Sequence, residues 1–188
     1  MTPAERLVAL SRLALTMSED TAAIEEAARV IVEAVKAGGT VYCAGNGGSF
    51  AQAQHFAAEL TGRYKRERRP VAAVALGSNG AHVTAVANDY GYRLVFAREI
   101  EALAREHGDG HAALVCLSTS GRSANVIEAA AVADEMGLDV VAVVGFDAPE
   151  WARAGTVVRI PSTDTALIQE GCLSVLHSIA EAIDEAIE

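Results

Sequence analysis

Five short runs of apolar residues constrain the fold of this 188-residue chain. They are apolar at nearly every position, which is typical of strands buried on both faces of a sheet. The runs span residues 40–44, 71–76, 112–117, 140–145 and 156–160. Most are separated by stretches of helical character, at about residues 49–61, 92–107, 123–136 and 165–187. This alternation predicts an α/β fold with a parallel, doubly wound sheet covered by helices.

The N-terminal segment precedes every predicted strand and is expected to form two helices. A capping-box pattern at residues 2–5 begins the first helix. Ser18 is predicted to cap the second, which a pair of glycines ends. We therefore expect an N-terminal helical hairpin over residues 1–38 and an α/β core over residues 39–188, within a single domain.

Charge and cysteine content exclude several classes of protein. The chain has 15 basic and 25 acidic residues and a formal net charge of -10, which disfavours general binding to nucleic acid. No apolar stretch is long enough to span a membrane, and the N-terminus has no signal-peptide pattern. The three cysteines, Cys43, Cys116 and Cys172, lie far apart and outside metal-binding pairs. We expect a reduced, cytoplasmic protein without a nucleic-acid partner or a membrane association.

One short segment of this acidic chain is strongly basic. Residues 63–69, Arg-Tyr-Lys-Arg-Glu-Arg-Arg, hold five of the 15 basic residues. The favoured interpretation is a solvated connection between a helix and a strand. The alternative is a basic rim that attracts an anionic substrate or contacts an acidic neighbouring subunit.

The loops that follow the predicted strands are where an open parallel sheet binds ligands. Residues 45–49, Gly-Asn-Gly-Gly-Ser, lead from a strand into a helix, so that a ligand can approach both the backbone and the free helix amides. No Walker lysine follows, and Phe50 stands where a dinucleotide fingerprint has its third glycine. A tight turn without a ligand is the alternative interpretation.

Two further loops carry polar groups. Residues 118–123, Ser-Thr-Ser-Gly-Arg-Ser, place four hydroxyls at a helix start, which favours an anion site over an ordinary loop. Residues 88–91, Asn-Asp-Tyr-Gly, have the composition of a turn, and binding of sugar hydroxyls is the alternative.

Two predicted helices present candidate catalytic side chains. His55 and Glu59 are four residues apart and share a helix face, as a surface pair or as groups that act on one metal ion or substrate. Gln169 and His177 lie on the last helix, beside its apolar stripe, and a half-buried structural histidine is the alternative for His177.

Together these segments resemble the phosphoheptose isomerases of the sugar-isomerase (SIS) superfamily. The similarity runs from about residue 20 to the C-terminus. The matching motifs are Gly-Asn-Gly-Gly-Ser at 45–49, Gln-His-Phe-Ala-Ala-Glu-Leu-Thr-Gly-Arg-Tyr at 54–64, Ala-Asn-Asp-Tyr-Gly at 87–91, Ser-Thr-Ser-Gly at 118–121, Ser-Ala-Asn-Val-Ile at 123–127, and Ile-Gln-Glu at 168–170 with His177. The resemblance implies one SIS domain over residues 1–188, with a five-stranded, flavodoxin-like sheet.

The resemblance also implies an activity and a set of site residues. The expected enzyme is an aldose–ketose isomerase that converts sedoheptulose 7-phosphate to D-glycero-D-manno-heptose 7-phosphate in heptose biosynthesis. By motif, Glu59 and His177 would be the acid–base pair. The substrate would contact Asn46, Gly47, Gly48, Ser49, Glu59 and Gln169 at the sugar, Asn88 and Asp89 at the polyol chain, and Ser118, Thr119, Ser120 and Ser123 at the phosphate.

The resemblance to the family also implies a bound zinc ion and an oligomeric state. One zinc ion per subunit would be held by His55, Glu59, Gln169 and His177, and the family is a cytoplasmic homotetramer with active sites between subunits. Gln169 and His177 are eight residues apart, about 12 Å along a regular helix, so one ion cannot easily bind both. Either the helix is distorted near Gln169, or one ligand comes from another chain, which we favour.

The expected reaction moves a proton between C1 and C2 through an enediolate, which requires a base over carbon and an acid for the oxygens. Glu59 suits the first role and His177 the second. A zinc ion either polarises the carbonyl or positions the substrate.

Four positions depart from the family pattern. Arg122 replaces the usual Asn of the phosphate loop, where it adds a positive charge or points to solvent. Ala166, Leu167 and Cys172 replace an acidic residue of some members, a common Arg and a second His. These three bear on substrate stereochemistry and metal occupancy.

Two alternatives belong to other functional classes. Some SIS proteins are non-catalytic tetrameric adaptors that bind a replication initiator protein, and they share the Gln-His-Phe-Ala-Ala segment found here at 54–58. The equivalents of Glu59 and His177 are absent from such adaptors, which favours the enzyme. An isomerase or a sensor for another sugar phosphate is the third option.

Overall fold

The computed structural model describes residues 1–104, 111–149, 151 and 153–188. Its five strands form one parallel sheet in the order β2-β1-β3-β4-β5. The strands are β1 (Val41–Gly45), β2 (Ala73–Ala75), β3 (Ala113–Ser118), β4 (Asp139–Gly145) and β5 (Thr156–Ile160). The predicted doubly wound, flavodoxin-like sheet is therefore confirmed, with each strand inside or within a residue or two of its predicted run.

In the described part of the chain, seven α-helices cover the two faces of the sheet. They are α1 (Pro3–Glu19), α2 (Ala22–Lys36), α3 (Gly48–Thr61), α4 (Gly80–Tyr90), α5 (Val95–Ala104), α6 (Ala124–Glu135) and α7 (Thr165–Ala186). Helices α1, α2, α3 and α7 contribute to the core on one face, and α4, α5 and α6 to the core on the other. Strands β1 and β3 are buried at every residue, which explains their uninterrupted apolar sequences.

The two N-terminal helices are confirmed, and both attach to α7. Helix α1 begins with the predicted capping box, in which Thr2 accepts from the Glu5 amide and the Glu5 carboxylate accepts from Thr2. Helix α2 packs along α7 and against the sheet, and α1 packs against α7. Arg6 of α1 forms ion pairs with Asp164 and Glu170 at the N-terminal end of α7, at 3.3 and 2.9 Å.

The prediction for Ser18 is wrong. Helix α1 continues through Ser18, whose hydroxyl donates to the Leu15 carbonyl at 2.7 Å. Helix α2 begins only after Thr21, and Asp20 accepts the exposed Ala22 amide at 3.2 Å. The first helix is therefore longer, and the link between the two shorter, than the sequence pattern indicated.

Residues 80–90 form a helix that the sequence analysis treated as a connection. Asn79 caps α4 by accepting from the amides of Ala81 and His82. The predicted helix over 92–107 begins as a 3-10 turn at Tyr92–Leu94 and continues as α5, and its end beyond residue 104 lies outside the described residues. Asn88 and Asp89 therefore occupy the last turn of a helix rather than a turn between elements.

The strand order reverses between β1 and β3, and the loops after these two strands meet at the carboxyl edge of the sheet. This switch point is where open parallel sheets bind ligands. Within the described part of the chain, no helix is long and apolar enough to cross a membrane.

Candidate active site

The glycine loop after β1 has a conformation that requires glycine. Gly47 has φ +56°, a region that favours glycine, and a Cβ on Gly48 would collide with the side-chain amide of Gln169. The turn is closed by the Ser49 amide, which donates to the Asn46 carbonyl at 3.0 Å. The loop therefore places the start of α3 against Gln169 of α7.

Asn46 is held by two side chains that the sequence analysis did not single out. Its amide exchanges two hydrogen bonds of 2.9 Å with the amide of Asn125, a buried residue in the first turn of α6. The Tyr92 hydroxyl donates to the same Asn46 oxygen at 2.9 Å. Asn125 lies inside a motif that matched the family, so the sequence contained a signal for it, but the contact with Asn46 joins two loops that are 79 residues apart.

The hydroxyl loop after β3 turns back on itself at the start of α6. The Ser118 hydroxyl donates to that of Ser123 at 3.1 Å, and the Arg122 amide donates to the Ser120 hydroxyl at 3.2 Å. The Thr119 carbonyl accepts the Gly145 amide at 3.2 Å, which ties the loop to the end of β4. Three hydroxyls and a helix N-terminus thus converge in a neutral setting that suits an anion.

A cavity of about 180 Å³ adjoins this loop. Its lining includes Thr119, Ser120, Arg122, Ser162 and Thr165. The Arg122 guanidinium donates to the Asp147 carbonyl at 3.3 Å and contributes a positive charge at the cavity wall. Arg122 is exposed but does not simply extend into solvent.

Asn88 and Asp89 are exposed and contact each other, with the Asn88 amide donating to the Asp89 carboxylate at 2.8 Å. Among the described residues, neither side chain hydrogen-bonds to another predicted site residue. Their helix ends at Gly91, directly before Tyr92, whose hydroxyl reaches Asn46. The end of α4 is therefore adjacent to the glycine loop.

A second cluster forms where α3 and α7 pack together. The Nε2 atom of His55 lies 3.0 Å from Nε2 of His177 and 3.4 Å from Oε1 of Glu59. The two imidazole rings meet edge to face, with centroids 5.3 Å apart. The structure thus brings together three of the predicted site residues, including both members of the proposed acid–base pair.

The environment of His177 favours its neutral form. Burial lowers the pKa of the imidazole, and the nearby His55 and Lys65 lower it further, against the opposing effect of the Glu59 carboxylate. Tyr64 stacks on the other face of the ring at a centroid distance of 5.4 Å. A neutral imidazole in this position is able to accept a proton near neutral pH.

The donors of this cluster are chemically suited to zinc. Two ligand atoms on one tetrahedral zinc ion are roughly 3.3 Å apart, given bond lengths of about 2 Å. The contacts of His55 with His177 and Glu59 match that spacing pair by pair. Among the described residues, however, no three His, Cys, Asp or Glu side chains already surround one point as a metal site. The pairs meet at His55 rather than at a common centre, so three of the four proposed zinc ligands are neighbours in one chain without forming a complete site.

Gln169 lies away from this cluster. The side chain of Gln169 contacts Gly48, and its backbone carbonyl accepts a hydrogen bond from the side-chain amide of Gln52 at 2.6 Å. Helix α7 runs as one α-helix through both Gln169 and His177, so the alternative of a distorted helix is wrong. Gln52, which the sequence analysis missed, keeps a buried Oε1 atom without a hydrogen-bond partner.

The predicted site residues therefore form two groups within one chain. The glycine loop, the hydroxyl loop and Gln169 lie at the carboxyl edge of the sheet. Glu59 is 11 residues beyond Gly48 on α3, roughly 16 Å along the helix axis. A small sugar phosphate cannot span this separation between loop and carboxylate if both groups must touch it.

Three departures from the family pattern lie on α7, and the structure accounts for one of them. Cys172 is buried in the core, and burial raises the pKa of its thiol to about 12, so it is unsuited to bind a metal as a thiolate. The Ala166 and Leu167 amides both donate to Asp164, which caps α7. Backbone amides donate whatever the side chain is, so nothing in the structure explains the replacements at Ala166 and Leu167.

Comparisons with known proteins identify the family of this chain. Residues 8–145 match the SIS domain family model. The chain is 43% identical to a phosphoheptose isomerase of Rhodospirillum rubrum over 88% of its own length and 86% of the relative, and 46% identical to one of Mycobacterium bovis over 86% and 83%.

Solved structures show the same similarity. Phosphoheptose isomerase GmhA from Neisseria gonorrhoeae superposes with a TM-score of 0.85 at 34% identity, covering 98% of this chain and 100% of that one. A phosphoheptose isomerase from Francisella tularensis gives 0.84 at 31% identity, with the same coverage. This chain belongs to the phosphoheptose isomerase family of SIS-domain proteins, a family of sugar-phosphate isomerases.

Proposed function

We propose that the protein isomerises sedoheptulose 7-phosphate to D-glycero-D-manno-heptose 7-phosphate through an enediolate, in heptose biosynthesis. The observation that carries the proposal is the contact of Glu59 and His177 with the same His55 imidazole, at 3.4 and 3.0 Å. An aldose–ketose isomerisation needs a base for a carbon-bound proton and a second group for the oxygen protons. This cluster supplies both.

The loops at the sheet edge bind the substrate. Ser118, Thr119, Ser120 and Ser123, with the start of α6, hold the phosphate. Asn46, fixed by Asn125 and Tyr92, binds sugar hydroxyls together with the backbone of the glycine loop. Asn88 and Asp89 contact the polyol chain.

The proton transfers fall to Glu59 and His177. The Glu59 carboxylate removes the proton from the carbon next to the carbonyl, and after exchange with solvent it delivers a proton to the neighbouring carbon. Neutral His177 takes a hydroxyl proton and delivers it to the other oxygen, a role that its lowered pKa suits. His55 lies between them and keeps both side chains oriented.

The separation of the two groups of residues supports a site shared between subunits. In a homotetramer, the cluster of one subunit reaches the substrate held on the loops of another, and Gln169 of that second subunit would hold a zinc ion together with His55, Glu59 and His177. A bound zinc ion would stabilise negative charge on the substrate oxygens. The proposed location is the cytoplasm.

The test is incubation of the purified protein with sedoheptulose 7-phosphate in D₂O, with the product identified by NMR. We expect the aldose product, with deuterium at C2, because an enediolate exchanges its proton with solvent. Product without deuterium would point to a hydride shift instead. A folded protein that binds the sugar phosphate without turnover would contradict the enzyme and favour a sensor or an adaptor.

A further inference from the structure

The basic run after α3 is the predicted solvated connection at residues 63, 65–67 and 69, which are exposed, but Arg68 departs from it and anchors the run through a buried ion pair. The side chain of Arg68 is 0% exposed and that of Asp184, on α7, is 2% exposed, with Nε and Oδ1 2.7 Å apart. A charged side chain that is fully buried needs a partner for each of its charges and donors. The other hydrogen bonds of Arg68 and Asp184 therefore show which parts of the chain the ion pair holds in place.

The guanidinium of Arg68 caps the end of α3. Its Nη2 atom donates to the carbonyl of Glu59 at 2.8 Å, and Nη1 donates to the carbonyl of Leu60 at 3.0 Å. The last carbonyls of a helix have no partner within the helix, and the last turn of α3 has no basic residue of its own. Arg68 thus binds the turn of α3 that carries the candidate base.

Asp184 anchors the same segment to α7. Its Oδ2 atom accepts from the backbone amides of Lys65 and Arg66, at 2.7 and 2.9 Å. Lys65 also forms an ion pair with Glu181 at 2.8 Å, one turn earlier on α7. Two successive turns of α7 therefore fix the segment that follows α3.

The segment that Asp184 anchors places Tyr64 against His177. The phenol ring stacks on the imidazole at 5.4 Å, with an angle of 25° between the ring planes. His177 is thus enclosed by Tyr64 on one side and His55 on the other. Asp184 is seven residues beyond His177, two helical turns or roughly 10 Å, so the ion pair lies on the same face of α7 but too far away to touch a substrate at His177.

We infer that Arg68 and Asp184 are positioning residues of this enzyme: their buried pair holds the end of α3 against α7, so that Glu59 and His177 meet at His55. The inference rests on the proposed acid–base roles of those two side chains. Arg68 acts through the backbone of Glu59, and Asp184 acts through the segment that carries Tyr64. Loss of the pair lets the two helices slide by fractions of an ångström, which proton transfer does not tolerate.

The test compares kcat with KM for sedoheptulose 7-phosphate in two conservative variants. Arg68→Lys keeps the charge but cannot donate to Glu59, Leu60 and Asp184 at once. Asp184→Asn keeps an acceptor for the two backbone amides but loses the charge. We expect kcat to fall at least tenfold in both, with KM within threefold of the wild type, because the substrate-binding loops lie at the other end of α3.

Two controls separate positioning from a general loss of stability. Ile100→Val truncates a buried side chain in the core on the opposite face of the sheet and should lower Tm without a change in kcat. Arg153→Met breaks an exposed pair with Asp134 and should change neither. Circular dichroism establishes that each variant is folded at the assay temperature.

A readout without substrate distinguishes failure of this inference from failure of the proposed function. In imidazole ¹H–¹⁵N spectra, the His55 and His177 signals should shift in Arg68→Lys and Asp184→Asn and stay unchanged in Arg153→Met. Unchanged signals together with a kcat within threefold of the wild type would overturn the positioning role. A wild-type protein without turnover, but with these shifts, would overturn only the proposed reaction and leave the coupling of α3 to α7 supported.

Discussion

The Nε2 atoms of His55 and His177 lie 3.0 Å apart, and this contact joins two helices whose residues are 122 positions apart in the chain. At such a distance one nitrogen donates and the other accepts, so the two rings cannot both carry a proton there. The lowered pKa of His177 is consistent with the accepting role. The same Nε2 atom of His55 lies 3.4 Å from Oε1 of Glu59, so the carboxylate lies beside the histidine pair.

Replacement of Glu59 by Gln should abolish most of the turnover without unfolding the protein. The amide cannot remove a proton from carbon, and loss of a general base costs about 10²-fold or more. We expect kcat to fall by at least two orders of magnitude, measured by NMR of the product. Glu185→Gln, at an exposed position on α7, is the matched control. Turnover close to that of the wild type would exclude Glu59 as the base.

Removal of two hydroxyls from the loop after β3 should weaken binding of the phosphate. In Ser120→Ala with Ser123→Ala, the bonds with the Arg122 amide and with Ser118 are lost. Both bonds are at the surface or partly exposed, so Tm should stay nearly unchanged, while calorimetry shows a weaker affinity for the sugar phosphate. Ser178→Ala on α7 removes a hydroxyl far from the loop as a control. Equal affinity in the variant and the wild type would contradict the phosphate assignment.

Most of the fold followed from the sequence because strands buried on both faces are apolar throughout. Helix α4 was not predicted, because its sequence has no clear apolar pattern. It begins with Gly80, it ends in polar residues, and Val86 is its one buried residue. Its clearest signal was local, since Asn79 caps it as a helix-capping residue should.

The site was predictable only where its residues are close in sequence. The spacing of His55 and Glu59 indicated a shared face, but the contact of His55 with His177 depends on the packing of α3 against α7, which no local pattern encodes. The burial of Arg68 could not be predicted either, because it also depends on contacts between distant parts of the chain. A run of charged residues predicts exposure to solvent, and only the position of Asp184 on α7 changes that outcome.

The charge of Arg122 should contribute modestly to binding of the substrate. Its guanidinium lies at the wall of the cavity beside Ser120 but remains exposed. An exposed charge contact is worth about 0.5–1 kcal/mol, so Arg122→Asn should raise KM roughly threefold and leave kcat unchanged. The effect should shrink as salt is added, since exposed charges are screened. Arg153→Asn serves as the control, and an unchanged KM for Arg122→Asn would remove this residue from the site.

Stability at acidic pH should depend on Asp184. Burial alone would raise the pKa of this carboxyl, but the amides of Arg66 and Lys65 and the Arg68 guanidinium outweigh it and hold the pKa below its usual value of 3.8. A lowered pKa in the folded state contributes stability above the unfolded value, and that stability is lost as pH falls below 3.8 towards the folded value.

Asp184→Asn should therefore lower the unfolding free energy by roughly 3 kcal/mol at neutral pH, since it leaves Arg68 buried without a counter-charge. The difference from the wild type should narrow below about pH 4, where the native carboxylate also becomes protonated. Chemical denaturation between pH 2 and 7 measures both effects. Asp139→Asn, exposed at the start of β4, controls for the loss of a carboxylate. A difference that stays constant with pH would contradict this account.

Subunit mixing should show which residues of the site come from different chains. His55, Glu59 and His177 meet within one chain, whereas Gln169 lies with the glycine loop at the other end of α3. Inactive Glu59→Gln mixed with inactive His177→Ala should therefore stay inactive, because every cluster lacks one of the two side chains. Inactive Gln169→Ala mixed with inactive His177→Ala should regain part of the activity, since a Gln169→Ala chain supplies an intact cluster and a His177→Ala chain supplies Gln169. Native mass spectrometry confirms that the subunits have exchanged. Recovery in the first mixture, or none in the second despite exchange, would reject a site shared in this way.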